Sequence, residues 1–221
     1  MLAFPLFDGV SHDRVAPLVS HAVVRTVGAG TVLHTPGERG RPMYLVIAGS
    51  LRAYQLTADG RKLILEIIER GGWDGLLPML GQRGHFTEAA EDSEVACLDW
   101  SLIQQLSLAD NRVMRNLVDL VARRLQGREE HLESMVIRDP TRRLARQLLA
   151  LTRVVGNPSD GDRVALPRTI THQVLADMLG VRRETVTLHL ADLVNRGAIE
   201  RGRPLTVLRA PLQTIAESPC G

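Results

Sequence analysis

Residues 170–198 carry the pattern that most constrains this chain, two short amphipathic segments joined by a tight turn. In the first segment, residues 171–179, apolar side chains recur at helical spacing, and Thr171 can cap the helix. Gly180 permits a backbone turn that other residues resist. The second segment, at about 183–195, again has an apolar face. The pattern predicts a helix-turn-helix.

The polar start of the second segment predicts that it enters the major groove of DNA. Arginine suits guanine O6 and N7, and glutamate suits cytosine N4, so Arg183 and Glu184 can read a G·C pair and its neighbour. A hairpin after this helix is the predicted wing, whose arginines can bind phosphate. A helical hairpin with surface arginines and no DNA role is the alternative. The predicted DNA contacts are Thr171, His172, Gln173, Arg182, Arg183, Glu184, Thr185, Thr187, Leu188, His189, Arg201 and Arg203.

The charge distribution agrees with a C-terminal DNA-binding region. Residues before Asp139 include 15 Lys/Arg and 17 Asp/Glu, a net charge of −2. Residues from Asp139 onward include 12 Lys/Arg and 8 Asp/Glu, a net charge of +4. The positive excess therefore lies in the part of the chain that would contact phosphate.

The runs RETV at 183–186, GV at 180–181 and ITHQ at 170–173 resemble the CRP/FNR family of bacterial transcription regulators. The resemblance implies a homodimer on double-stranded DNA, at a palindrome with TGTGA-type half-sites about one turn apart. It also implies contact with RNA polymerase through the polar loop 156–162. The family usually has arginine where this chain has Leu188, which can contact a thymine methyl instead.

Short apolar runs cut by glycines fill residues 23–98 and predict a β-sandwich or barrel. The resemblance implies a jelly-roll-like β-roll of the cyclic-nucleotide-binding type. We expect an α+β chain with a β-roll sensor domain at 1–108, a dimerisation helix at 109–138 and a winged helix-turn-helix at 139–221. The predicted strands are 23–27, 31–33, 43–48, 51–56, 63–68, 95–98, 164–166 and 205–208.

A long segment from about 109 to 137 contains no proline and one glycine, and its apolar residues follow a spacing of three and four. This heptad seam predicts a helix that pairs with its copy in a dimer. A helix packed on its own β-domain is the alternative. Arg128 interrupts the seam. The seam residues are Val118, Val121, Leu125, Leu132 and Met135.

The residues of the effector pocket differ from those of the cyclic AMP-binding members of the family that the chain resembles. Their Gly-Glu-Leu segment holds the ribose, but residues 75–77 are Gly-Leu-Leu, and their Arg-Ser pair becomes Arg83-Gly84. We expect either an effector other than cyclic AMP bound in its usual mode or no effector at all. A cyclic nucleotide remains an alternative effector. The candidate pocket residues are Gly75, Leu76, Leu77, Arg83, Gly84, Arg128 and Glu129.

No sequence motif indicates an iron–sulfur cluster, haem, a metal site or a catalytic site. Cys97 and Cys220 cannot supply the thiolates of an iron–sulfur cluster, and they lack metal-site spacing. A lone His85 gives no reason to expect haem, and His34, His85 and Asp74 are linked by no catalytic or metal motif. No metal site, enzyme activity or membrane span is therefore predicted, and the lone cysteines indicate the cytoplasm.

The sequence thus predicts a DNA-binding transcription regulator, a homodimer controlled by an effector in the β-roll. A constitutive activator that needs no ligand is one alternative. A cyclic-nucleotide-binding regulatory module with no DNA role is an alternative of another class.

Overall fold

The computed structural model describes residues 4–38, 42–75, 84–155 and 161–218. The chain folds as two compact units. The first comprises Met1–Gln55 and Leu65–Leu125, and the second comprises Leu56–Ile64 and Gln126–Gly221.

Two four-stranded sheets have the strand orders β1-β8-β3-β6 and β2-β7-β4-β5, and they form the centre of the first unit except for the end of β4 and the start of β5, within Leu56–Ile64, which belong to the second. This arrangement confirms the predicted β-roll. The strands are β1 Val23–Val27, β2 Val32–His34, β3 Met43–Ala48, β4 Leu51–Leu56, β5 Lys62–Ile68, β6 Trp73–Asp74, β7 Phe86–Ala89 and β8 Ser93–Leu98.

Strand β3 is buried on both faces and divides the core of the first unit in two. Met43 and Leu45 join one apolar cluster, with the helices of the unit. Tyr44 and Val46 join the other, between the sheets. Side chains alternate between the two faces of a strand, so an unbroken apolar run marks a strand that is covered on both sides.

Strands β6 and β7 were not predicted from the sequence. The first is two residues long, and the second reads Phe-Thr-Glu-Ala, without an apolar run. Thr87 and Glu88 are nevertheless buried in β7, because their polar atoms have partners inside the unit. The predicted strand 31–33 is displaced by one residue in the structure.

The helical part of the first unit begins with a short 3-10 helix, Pro5–Phe7, and helix α1, His12–His21. Helix α2, Trp100–Ala109, was not predicted; the Asp99 side chain caps it by accepting a hydrogen bond from Ser101 N at 2.8 Å. Helix α3 follows as Asn111–Met135, slightly shorter than the predicted segment; its residues up to Leu125 belong to the first unit and those from Gln126 to the second.

The second unit is a winged helix-turn-helix, as predicted. Its three-stranded sheet has the order β10-β11-β9, and Leu144, Leu148, Leu175 and Leu193 are buried in its helical core. Helix α7 was not predicted, and the strand expected at 164–166 begins one residue earlier. The elements are α4 Pro140–Val155, β9 Arg163–Ala165, α5 His172–Leu179, α6 Arg183–Asn195, β10 Ile199–Glu200, β11 Thr206–Leu208 and α7 Arg209–Glu217.

Among the helices that the structure describes, none is long and apolar enough to cross a membrane.

Candidate DNA-binding surface and effector region

The turn between α5 and α6 is built as the sequence predicts. The Thr171 side chain accepts a hydrogen bond from Val174 N at 3.2 Å and so caps α5. Gly180 ends that helix with φ +64°, a left-handed conformation that favours glycine. Val181 N then donates to Ala176 O at 3.0 Å, which closes the turn.

Helix α6 buries one face and exposes the other. Val186, Leu190 and Leu193 are buried, and this fixes the rotation of the helix on its support. Its outward residues are exposed at the N-terminal end, where a recognition helix contacts base edges. Leu188 is 67% exposed, although it is a large apolar residue. The other exposed side chains of this face are Arg182, Arg183, Glu184 and Thr187.

His172 and Thr187 meet on the exposed face of the helix-turn-helix. The His172 Nδ1 atom lies 3.0 Å from Thr187 Oγ1, and Thr187 Oγ1 also donates to Arg183 O at 3.1 Å. Partial burial and the charges of Arg183 and Arg203 lower the pKa of His172. The influence of Arg203 indicates that the wing contributes positive charge to the same face.

The wing is a short hairpin with exposed arginines. Arg201 and Arg203 are both exposed in the segment between β10 and β11. At its base Arg163 Nη2 lies 2.6 Å from Glu200 Oε2, an ion pair that links β9 to β10. Two cations are therefore available for phosphate at the tip.

The predicted contact His189 is placed differently from its neighbours. Its ring is half-buried, and Nδ1 lies 2.9 Å from Thr141 Oγ1 on α4. Thr141 Oγ1 is also 3.1 Å from Asp192 Oδ2. Thr185 is likewise half-buried. His189 therefore packs against α4, and its contact with DNA stays a prediction.

The predicted heptad seam of α3 is an exposed apolar stripe. Val118, Leu125 and Leu132 are 59%, 57% and 62% exposed, and Val121 and Met135 are also exposed. Arg128 and Glu129 are exposed as well. Large apolar side chains at this spacing are the usual contents of a helix–helix interface.

Of the candidate pocket residues in the β-roll, Leu76, Leu77 and Arg83 lie outside the described residues. Gly75 is buried with φ +93°, while Gly84 is exposed and its carbonyl oxygen accepts from Gln55 Nε2 at 3.1 Å.

Two histidines converge on one buried carboxylate beside these two glycines. His34 Nε2 lies 2.6 Å from Asp74 Oδ2, and His85 Nε2 lies 3.3 Å from Asp74 Oδ1. Thr87 Oγ1 donates to Asp74 Oδ2 at 2.9 Å. We call His34, Asp74 and His85 the buried triad. No sequence signal points to it, because its members are 40 and 11 positions apart and lie on different strands or loops.

Asp74 is ionised in this setting. Burial raises the pKa of Asp74, but hydrogen bonds with His34 and His85 and the charge of Arg124 outweigh burial and hold that pKa well below its ordinary value. Arg124 also pairs with Glu66, at 2.6 Å between Nη2 and Oε2.

Comparison with known proteins agrees with this architecture. Residues 24–110 match the cyclic nucleotide-binding domain, and residues 142–211 match the Crp-like helix-turn-helix domain. The cyclic AMP receptor protein of Thermus thermophilus is 30% identical to this chain over 224 residues, which cover 98% of each protein. The chain belongs to the CRP/FNR family of transcription regulators.

Two further proteins are similar to this chain. Transcriptional regulator LdrP, from a second strain of Thermus thermophilus, is 33% identical over 169 residues, 76% of this chain and 82% of that protein. The solved structure of FixK2 from Bradyrhizobium japonicum has a TM-score of 0.77 at 25% identity, and the match covers 90% of this chain and 99% of that one.

The two domain matches of this CRP/FNR-family chain contain different sets of candidate residues. The helix-turn-helix match contains the predicted DNA contacts from Thr171 to Arg203. The chain is therefore a transcription regulator with a DNA-binding domain, and the alternative of a regulatory module with no DNA role is not supported. The cyclic nucleotide-binding match contains the buried triad.

Proposed function

We propose that this regulator binds DNA as a homodimer and reads a palindrome whose half-sites lie about one helical turn apart. Residues 1–108 would form the sensor, 109–138 the dimerisation helix and 139–221 the DNA-binding domain. One observation carries the proposal: the N-terminal end of α6 exposes Arg182, Arg183 and Glu184, while the opposite face is buried.

Arg183 and Glu184 are proposed to read bases in each half-site, which has a G·C-containing core of the TGTGA type. A bidentate arginine–guanine contact contributes about 1–3 kcal/mol of discrimination. The exposed side chains of Gln173 and Arg182 on the same surface, with Arg201 and Arg203 of the wing, would contact the DNA backbone and set the register.

The exposed seam of α3 supports the dimer. Its apolar side chains lie at heptad spacing, and a second copy of the same helix would remove them from water. Arg128 and Glu129 are exposed near the middle of the helix, where they can form interchain ion pairs or meet an effector.

The effector is proposed to differ from cyclic AMP in the usual mode of the family. The segment 75–77 lacks the carboxylate that would hold the ribose, and Gly84 has no hydroxyl for a phosphate. A regulator that is active without ligand is the second candidate. Titration of cyclic AMP into the DNA-bound protein distinguishes these two candidates from the family's usual mode. The affinity for DNA is expected to stay unchanged, and a large increase in that affinity would contradict the proposal.

RNA polymerase is the proposed protein partner, through the polar loop at 156–162. Alanine substitutions in this loop should lower activated transcription without lowering DNA affinity. Unchanged transcription would contradict the contact.

The base-reading role is tested with Arg183→Ala, using Arg196→Ala as the control. Arg196 is exposed at the other end of α6 and pairs with Asp192 at 2.9 Å. At fixed salt, Arg183→Ala should weaken binding to the palindrome by about 10–100-fold and binding to random DNA by only a few-fold. The control should change neither affinity by more than a few-fold.

An equal loss on palindromic and random DNA would show that Arg183 contacts phosphate only. A loss of the same size in the control would show that any arginine of α6 has this effect, and the base-reading proposal would fail.

A further inference from the structure

Three side chains with metal-binding atoms come together inside the β-roll. His34 ends β2, Asp74 lies in β6 and His85 precedes β7. One ligand atom from each residue lies within 4.8 Å of the other two, and both His34 and Asp74 are about 1% exposed. We propose that the buried triad binds a divalent transition-metal ion of the zinc and iron class.

The distances are close to those of a coordination site. Zinc binds imidazole nitrogen and carboxylate oxygen at about 2.0–2.2 Å, so two ligands of a tetrahedral site are roughly 3.4 Å apart. His85 Nε2 and Asp74 Oδ1 are 3.3 Å apart. His34 Nε2 and Asp74 Oδ2 are 2.6 Å apart, so an ion that displaces the proton between them must separate them by roughly 0.8 Å.

The ligand types select the class of ion. Imidazole binds zinc, iron, nickel and copper, whereas magnesium and calcium prefer sites made of oxygen alone. Two histidines and one carboxylate form the ligand set of many zinc and non-haem iron sites. Three protein ligands leave at least one coordination position for water or a small molecule.

Asp74 has the supporting contacts that a ligand carboxylate needs. Thr87 is fully buried, and its hydroxyl donates to Asp74 Oδ2 at 2.9 Å. Contacts of this kind hold ligand side chains in position and raise metal affinity. Arg124 pairs with Glu66 and also lies 3.6 Å from Asp74 Oδ1, so a bound ion would share the Asp74 carboxylate with this guanidinium.

A hydrogen-bonded pair of His34 and Asp74 without an ion is the competing explanation of this geometry. His34 Nδ1, the other ring nitrogen, is buried and has no hydrogen-bond partner in the part of the chain that the structure describes. It stays unbonded in both cases, because an ion on Nε2 does not reach it. Metal titration distinguishes the two explanations.

The experiment uses the full chain, stripped of metal by a chelator and titrated with Co²⁺, which reports coordination through visible absorption. Zn²⁺ is then added as a competitor. The variants are Asp74→Asn and His85→Asn, and the control is His12→Asn, which changes an exposed histidine of α1. Circular dichroism of each metal-free protein checks that it is folded.

One Co²⁺ per chain is expected, displaced by Zn²⁺. Each triad variant should weaken binding by at least about tenfold, and the control should not weaken it. Equal binding by the triad variants and the wild type, or no binding by the folded wild type, would overturn the proposal.

X-ray absorption of the cobalt-loaded wild type provides a test that does not depend on a variant that folds. Two imidazole ligands and additional oxygen ligands are expected. Fewer than two imidazoles, or a sulfur ligand from a cysteine such as Cys97, would also overturn the proposal.

Discussion

The Arg124 Nη2 atom on α3 lies 3.6 Å from Oδ1 of Asp74, the carboxylate of the buried triad. The Arg124 guanidinium also lies over the Trp73 ring, 4.9 Å from its centroid, and pairs with Glu66. A residue of the proposed dimerisation helix therefore contacts the buried triad directly. A change of charge at Asp74 would act first on Arg124, and through it on the helix that carries the seam.

Replacing Arg124 tests this link. If a metal ion binds the buried triad, Co²⁺ should change the affinity of the wild type for DNA by at least about fivefold. Arg124→Gln should still bind Co²⁺, but the effect of Co²⁺ on DNA affinity should fall below about twofold. The control is Arg123→Gln, which changes the exposed neighbouring arginine. An equal response of both variants would disprove the link.

One charged residue introduced into the seam should weaken dimerisation strongly. Leu125→Glu places a carboxylate at a seam position in both subunits, and it should raise the dimer dissociation constant by at least about a hundredfold. Leu108→Glu is the matched control, because Leu108 is 90% exposed on α2, outside the seam. Sedimentation equilibrium measures both constants. Dimers of equal strength would rule out the seam as the interface.

Leu188 should contact a thymine methyl group. Replacing one thymine of each half-site with uracil removes a methyl, which should weaken wild-type binding by about fourfold per contact, or about 0.8 kcal/mol. Leu188→Ala should lose this sensitivity. If uracil weakened the binding of Leu188→Ala as much as that of the wild type, another residue would make the methyl contact.

DNA binding should depend on pH through His172. The pKa of His172 is lowered from its ordinary 6.5 in the free protein, by burial and by Arg183 and Arg203, so the ring is neutral at pH 7. Nearby phosphates would raise the pKa of His172 in the complex, so the complex takes up a proton. Affinity should therefore rise as pH falls from about 7.5 to 6. A His172→Gln variant with the same pH dependence as wild type would contradict this role.

Glu69 should lower stability at neutral and higher pH. Burial and the charge of Glu91 raise the pKa of Glu69 from 4.5 to about 7. The folded state then holds a proton that the unfolded state has lost, so this contribution to stability falls as pH rises from 4.5 to 7.

Glu69→Gln should remove that loss and stabilise the protein at pH 8 by about 1–2 kcal/mol, a figure reduced for partial solvent exposure. Chemical denaturation at pH 5 and pH 8 measures the difference between variant and wild type. An equal difference at both values of pH would exclude titration of Glu69 as the cause.

The helix-turn-helix could be predicted because its signals are local. Thr171 caps α5, Gly180 makes the turn and the apolar residues of α6 recur at helical spacing, all within 26 positions of one another. Strands β3 and β4 were predicted to the residue, since β3 is an apolar run, β4 is apolar at four of its six positions, and turn residues separate them.

The unpredicted parts depend on distant residues. Strand β6 is defined by its pairing with Tyr44 and Leu45 on β3, and its own two residues carry no pattern. The buried triad forms because the two sheets bring three separate segments together, a result that no spacing in the sequence reveals. His189 has a residue type suited to DNA, but its contact with Thr141 depends on how α4 packs on α6.

The most direct test of the central claim is the stoichiometry and specificity of DNA binding. The full chain is titrated at fixed salt against a palindrome with two TGTGA-type half-sites one turn apart, and against the same length of shuffled sequence. We predict one dimer per palindrome and an affinity at least about a thousandfold higher than for shuffled DNA. Binding as a single subunit, or equal affinity for the two sequences, would contradict the account.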